Sequence, residues 1–180
     1  MTIAAALAAA VAIGASATAV ATDASYLLGG SDPLSRMDAY ASAAGLSSLR
    51  SSDTKAIRIW ANNYMFGEVT GFVVAEDSVS ICAARTELHE SIETIHSASC
   101  REVPNWKNLK ALLSKIEELS RFDNMRVGCG VMDGTGYAVD GVLNGRRFSF
   151  ESNNPQECSD EVSKAMVETL NLLPEDSDAP

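Results

Sequence analysis

Basic residues, histidines and closely spaced cysteines are all scarce in this chain, and each shortage narrows what it can do. Its 180 residues carry 14 lysines and arginines against 24 aspartates and glutamates, a formal net charge of -10. A domain that grips nucleic acid needs a basic patch to displace counterions from phosphates, and the largest basic cluster here is the pair Arg146-Arg147. Nucleic acid is therefore not an expected partner, and the same acidity repels an anionic membrane surface. None of the four cysteines sits in a C-x-x-C or other close metal-ligand pair, which argues against structural zinc. There is no G-x-G-x-x-G or P-loop spacing to cradle a phosphate and no G-x-S-x-G elbow to present a serine nucleophile.

Charge is missing altogether from the first 22 residues, apart from the terminal amine. Ile3 to Ile13 is an unbroken apolar run of 11 residues, the length of a secretory h-region and short for a membrane span. Ala19-Val20-Ala21 then satisfies the A-x-A rule, so residues 1–21 read as a signal peptide and the mature chain starts near Thr22. An n-region without lysine or arginine departs from the usual signal pattern, and retention as an anchor is the competing reading. No cysteine lies near the cleavage site, which argues against a lipoprotein. Export, to the periplasm or out of the cell, makes two disulfides the expected state of Cys82, Cys100, Cys129 and Cys158. Four cysteines allow three connectivities. The neighbour pairing, Cys82 with Cys100 and Cys129 with Cys158, is favoured because each bond would then pin a helix to strands beside it.

Residues 22–54 are rich in Ser, Ala, Gly and Asp and poor in large apolar side chains, so they read as a flexible lead-in, with 37–49 able to form a short helix. The acidic tail, 174–180, is expected to be disordered. Between them, 55–173 reads as one domain, since 46% hydrophobic residues over this length support a single core. Ile57, Ile59 and Ala61 alternate with Arg58, Trp60 and Asn62, which is strand periodicity. Two further short β-branched runs, "EVTGFVVAED" and "SVSICAAR", complete a three-stranded meander, with Gly67 and Gly71 as bend or bulge points. Pro104 opens a helix with Trp106, Leu109, Leu112, Leu113, Ile116 and Leu119 on one stripe. A second helix follows Pro155, capped by Ser159, with Val162, Ala165, Met166, Leu170 and Leu173 inward.

Asn144-Gly145 is a type I′ hairpin signal, because that turn needs positive φ at both central residues. It pairs Leu143 with Arg146, Gly141 with Phe148 and Val139 with Phe150, placing Tyr137, Val139, Phe148 and Phe150 on one face. Gly141 leaves room for the Phe148 ring to cross the strand. A three-residue loop, 133–135, would join 125–131 to this hairpin as a third antiparallel strand. The expected fold is α+β: an antiparallel sheet in βββα-βββα order with two amphipathic helices on one face.

Two constellations could carry function. In "ELHESIETIH", a helix would bring His89, Glu93 and His96 to one face at i, i+4 and i+7, a spacing suited to zinc or nickel and the basis of a small metal-dependent hydrolase. Alternatively, Trp60, Tyr64 and Phe66 would lie on the sheet face that two helices leave open, and Trp and Tyr concentrate in binding hot spots. Arg146 at the hairpin tip is free to contact a partner, whereas Arg147 can reach Asp140 or Glu151 diagonally across the hairpin. The leading expectation is a non-enzymatic module, an inhibitor or accessory factor, that binds another protein, uses no cofactor and has no membrane span in its mature form.

Overall fold

The computed structural model describes residues 24–27, 33–46, 49, 55–63, 67–89, 92–129 and 134–175. The segment read as a signal peptide and all but the first two residues of the acidic tail lie outside them. The described chain is an α+β domain built on one mostly antiparallel sheet. Its elements run β1 (Ala24–Leu27), α1 (Pro33–Ala43), β2 (Ala56–Asn63), β3 (Glu68–Val74), β4 (Val79–His89), β5 (Ile92–Glu102), α2 (Leu109–Leu119), β6 (Arg126–Gly128), β7 (Gly136–Leu143), β8 (Arg146–Asn153) and α3 (Glu161–Leu170). Across the sheet the order is β1-β5-β4-β3-β2-β7-β8-β6.

This differs from the expected order in three respects. The meander before α2 has four strands, because the segment expected as a histidine-bearing helix is the end of β4 and the start of β5. The run before the Asn-Gly hairpin is not its antiparallel third strand: β6 lies at the far edge, parallel to β8. β7 has two edges; β8 takes one and β2 the other. β2 buries Ala56 through Trp60 on both faces, an apolar gain that the short Arg-Val-Gly strand cannot match. Parity alone could not separate these cases, since Val127 packs against the same core either way. Finally, helices cover both faces rather than one, and the extra helix is α1, from within the segment read as a flexible lead-in.

On one face α2 and α3 pack over Ile57, Ile59, Val74, Val139, Phe148 and Phe150. Leu112, Ile116 and Leu119 are the buried stripe of α2, and Val162, Ala165 and Met166 that of α3. The indole nitrogen of Trp106 donates to the Leu172 carbonyl at 2.9 Å, tying the approach to α2 to the end of α3. α3 is capped by Asp160, one residue beyond the expected Ser159; its carboxylate accepts the Ser163 amide at 2.9 Å. The hairpin has the expected register, with Asn144 and Gly145 at φ 52° and 75°. A Cβ on Gly141 would stand 2.4 Å from Phe148 Cζ, so the ring does lie across that glycine.

On the other face α1 lies over Trp60, Val69, Cys82, Ala84, Ile95 and Ala98. Gly71 is directly opposite Trp60, and a Cβ there would stand 2.2 Å from the indole, so this glycine makes room for a ring and is not a bulge. The cysteines pair as favoured: Cys82 with Cys100, directly opposed on β4 and β5, and Cys129 with Cys158, joining the end of β6 to the approach to α3. Two such bonds fit an oxidising compartment. Among the described residues no helix is long and apolar enough to cross a membrane.

Candidate functional site

The face under α1 carries charge where a core is usually apolar. Arg58 on β2 and Asp140 on β7 are opposed in register and almost wholly buried. Their pairing is bidentate: Nε to Oδ1 at 2.8 Å and Nη2 to Oδ2 at 2.5 Å. Asp38 of α1 closes the group from above, accepting Arg58 Nη2 at 2.9 Å and Arg147 Nη2 at 3.1 Å. Arg147 on β8 also reaches Asp140 diagonally at 2.8 Å, one of the two contacts open to it in the sequence, while Glu151 pairs with Arg126 at 2.6 Å. Burial opposes ionisation of Asp38, but Arg58 and Arg147 outweigh it and hold its pKa below the ordinary 3.8. Arg58 shows the mirror image: burial works against its charge, yet Asp140 and Asp38 hold its pKa above 12.5.

Beside this quartet, Tyr40 of α1 donates to the buried Glu93 carboxylate at 2.6 Å, and Asn62 donates to both at 3.3 and 3.4 Å. The Tyr40 and Trp60 rings sit 5.1 Å apart. These contacts fix where α1 lies. Sliding it along the sheet would leave buried arginines without Asp38, and an uncompensated buried charge costs several kcal/mol, about 3–5 where it has been measured. The seam is therefore structural, and α1 covers the face expected to be open.

That decides the positions singled out in the sequence. Trp60 is 1% exposed, so it belongs to the core and cannot supply a docking patch; Tyr64 and Phe66 lie outside the described residues. His89 and His96 are exposed on strands, with His96 3.1 Å from Glu87, while Glu93 turns inward beneath α1. A strand sends the three to different surroundings where a helix would have gathered them, and no group of three or more His, Cys, Asp or Glu among the described residues is placed to hold a metal ion. Arg146 is exposed at the hairpin tip, and its guanidinium donates to the Ser120 carbonyl at 3.0 Å, just past the end of α2.

The structure supplies a site of a different kind on the α2/α3 face. At the end of α3 a cleft of about 330 Å³ is lined by Ala61, Thr70, Phe72 and Tyr137 from the sheet, and by Leu170, Asn171, Leu173, Pro174 and Glu175 from the helix end. It exists because Ala61 is small. Ala61 is opposite Thr70 on one side and Tyr137 on the other, continuing the Ile57/Ile59 row where those side chains fill the space under the helices. The small-residue row does not stop there. Thr70 is opposite Ala83 on β4, and Ala83 is opposite Ser99 on β5; all three are exposed. Ala61, Thr70, Ala83 and Ser99 thus form a shallow trough across four strands, running outward from the cleft. The sequence held one sign of it, a small Ala61 ending a row of isoleucines, but its register to Thr70, Ala83 and Ser99 depends on turns with no specific signature.

No protein-family model matches the chain, and no curated protein is significantly similar to it.

Proposed function

We propose that the protein is an exported, disulfide-braced domain, periplasmic or secreted, that acts by binding another protein as an inhibitor or accessory factor. The observation that carries this reading is the cross-strand row Ala61, Thr70, Ala83 and Ser99, which leaves a shallow trough ending in a cleft. A flat sheet surface of small side chains lets another chain approach the backbone closely, and a pocket at its end offers an anchor point, the usual anatomy of a recognition surface. Of the residues lining the cleft only Tyr137 and Glu175 are ionisable, a set suited to holding a group in place.

Site-specific photo-crosslinking in the cells that make the protein tests this. A benzophenone side chain at Ala83, inside the trough, should give a discrete protein adduct, and one at Lys110, exposed on α2, should not. Absence of an adduct from Ala83, or equal adducts from both positions, removes the assignment.

A further inference from the structure

The cleft has a definite chemical preference, and its consequence deepens the protein-binding reading on which it rests. Four features agree. α3 ends at the cleft, and the last turn of that helix holds no lysine, arginine or histidine, so the negative end of its dipole has no cation of its own there. Glu175 adds a carboxylate to the lining, and no basic residue is among the lining side chains. Phe72 and Tyr137, both half-buried, bring aromatic rings to the cleft, and such rings attract cations to their faces. Thr70 and Asn171 add side-chain oxygens that accept hydrogen bonds.

We infer that the cleft receives a lysine or arginine side chain, carried by an extended segment of the partner protein that lies along the trough. The apolar stem of such a side chain packs on Ala61, Leu170 and Leu173, while its charged head meets Asn171, Glu175 and the helix end. The volume, about 330 Å³, lies at the bottom of the range for small-molecule sites, roughly 300–1,000 Å³, and suits one long side chain better than a cofactor. The chain's net charge of -10 steers a basic segment toward it and repels an acidic one.

The test is an NMR titration of the full mature chain with blocked pentapeptides, Gly-Gly-X-Gly-Gly, where X is arginine, lysine or citrulline. Arginine and lysine peptides should shift the amides of Ala61, Thr70 and Asn171; citrulline, with nearly the same shape and no charge, should bind at least about tenfold more weakly. Thr70→Arg puts a cation of the chain's own at an exposed lining position and should abolish the shifts without disturbing the fold. Ala61→Leu should do the same by filling the cleft, with the dispersion of the remaining spectrum reporting that it is folded. Citrulline binding as well as arginine, shifts that map elsewhere, or arginine binding undiminished in the two folded variants would each overturn the inference. The two readings fail separately. If Ala83 still crosslinks to its partner in the Thr70→Arg chain, the protein-binding reading stands and the basic anchor falls; if Ala83 never crosslinks, the protein-binding reading falls first.

Discussion

The two faces of this sheet are packed by opposite means. Under α2 and α3 the contacts are isoleucine, leucine, valine and phenylalanine, with no charged residue in the buried cluster. Under α1 the sheet offers Trp60, a disulfide, small alanines and a quartet of two arginines and two aspartates. An apolar face tolerates many similar arrangements and draws its strength from buried area. A buried charge seam adds little net stability but penalises every arrangement except one. The lesson is a division of labour: one face holds the domain together, and the other dictates where a short, weakly amphipathic helix must sit.

The largest expected effect tests that division directly. Asp140→Ala leaves the buried Arg58 short of its main partner and should cost about 3–5 kcal/mol in urea unfolding. The double variant Arg58→Met/Asp140→Leu should recover most of that loss, because the seam is costly to break and cheap to replace with apolar side chains. A loss as large in the double variant as in the single one would make the charges a source of stability in their own right. On the apolar face, Leu112→Ala should cost about 3 kcal/mol by cavity formation, with no compensating substitution nearby.

Smaller effects come from the glycines that make room for a ring on each face. Gly71→Ala meets the Trp60 ring and Gly141→Ala meets Phe148. Each should cost about 1–3 kcal/mol by overpacking, but only Gly71→Ala should alter Trp60 fluorescence in a Trp106→Phe background. The smallest effect is in pH. Asp38 has its folded pKa below its unfolded value, so its contribution is complete above about pH 4 and is lost as pH falls through the lower folded value. Trp60 emission should therefore shift as α1 loosens at acid pH, and Asp38→Asn should show the loosened signal at neutral pH as well. An Asp38→Asn chain with wild-type emission at neutral pH would mean that Tyr40 and Met37 hold the helix without the quartet.

The Asn144-Gly145 hairpin, its register, the Gly141/Phe148 fit and the apolar stripes of α2 and α3 could be read from the sequence because each rests on local chemistry: a turn with strict φ demands, or a period of 3.6. The same aromatic-over-glycine device at Trp60 and Gly71 went unread. Its register depends on the turn between Asn63 and Glu68, which carries no comparable signature. α1 was hidden by composition, since one methionine and one tyrosine carry its burial and most of the rest is alanine, serine and aspartate. The cleft combines Ala61, Thr70 and Tyr137 from three strands with the end of a distant helix. No window of sequence contains it.

The two disulfides also govern what a protease could do to this molecule. The bonds close stretches spanning 18 and 29 residues, and the connection between His89 and Ile92 lies inside the first, the Asn144-Gly145 tip inside the second. A cut at either place leaves the two pieces covalently joined and still paired in the sheet. A domain released among extracellular proteases would thus survive a nick at an exposed hairpin tip as one particle, and the damage would show only after reduction.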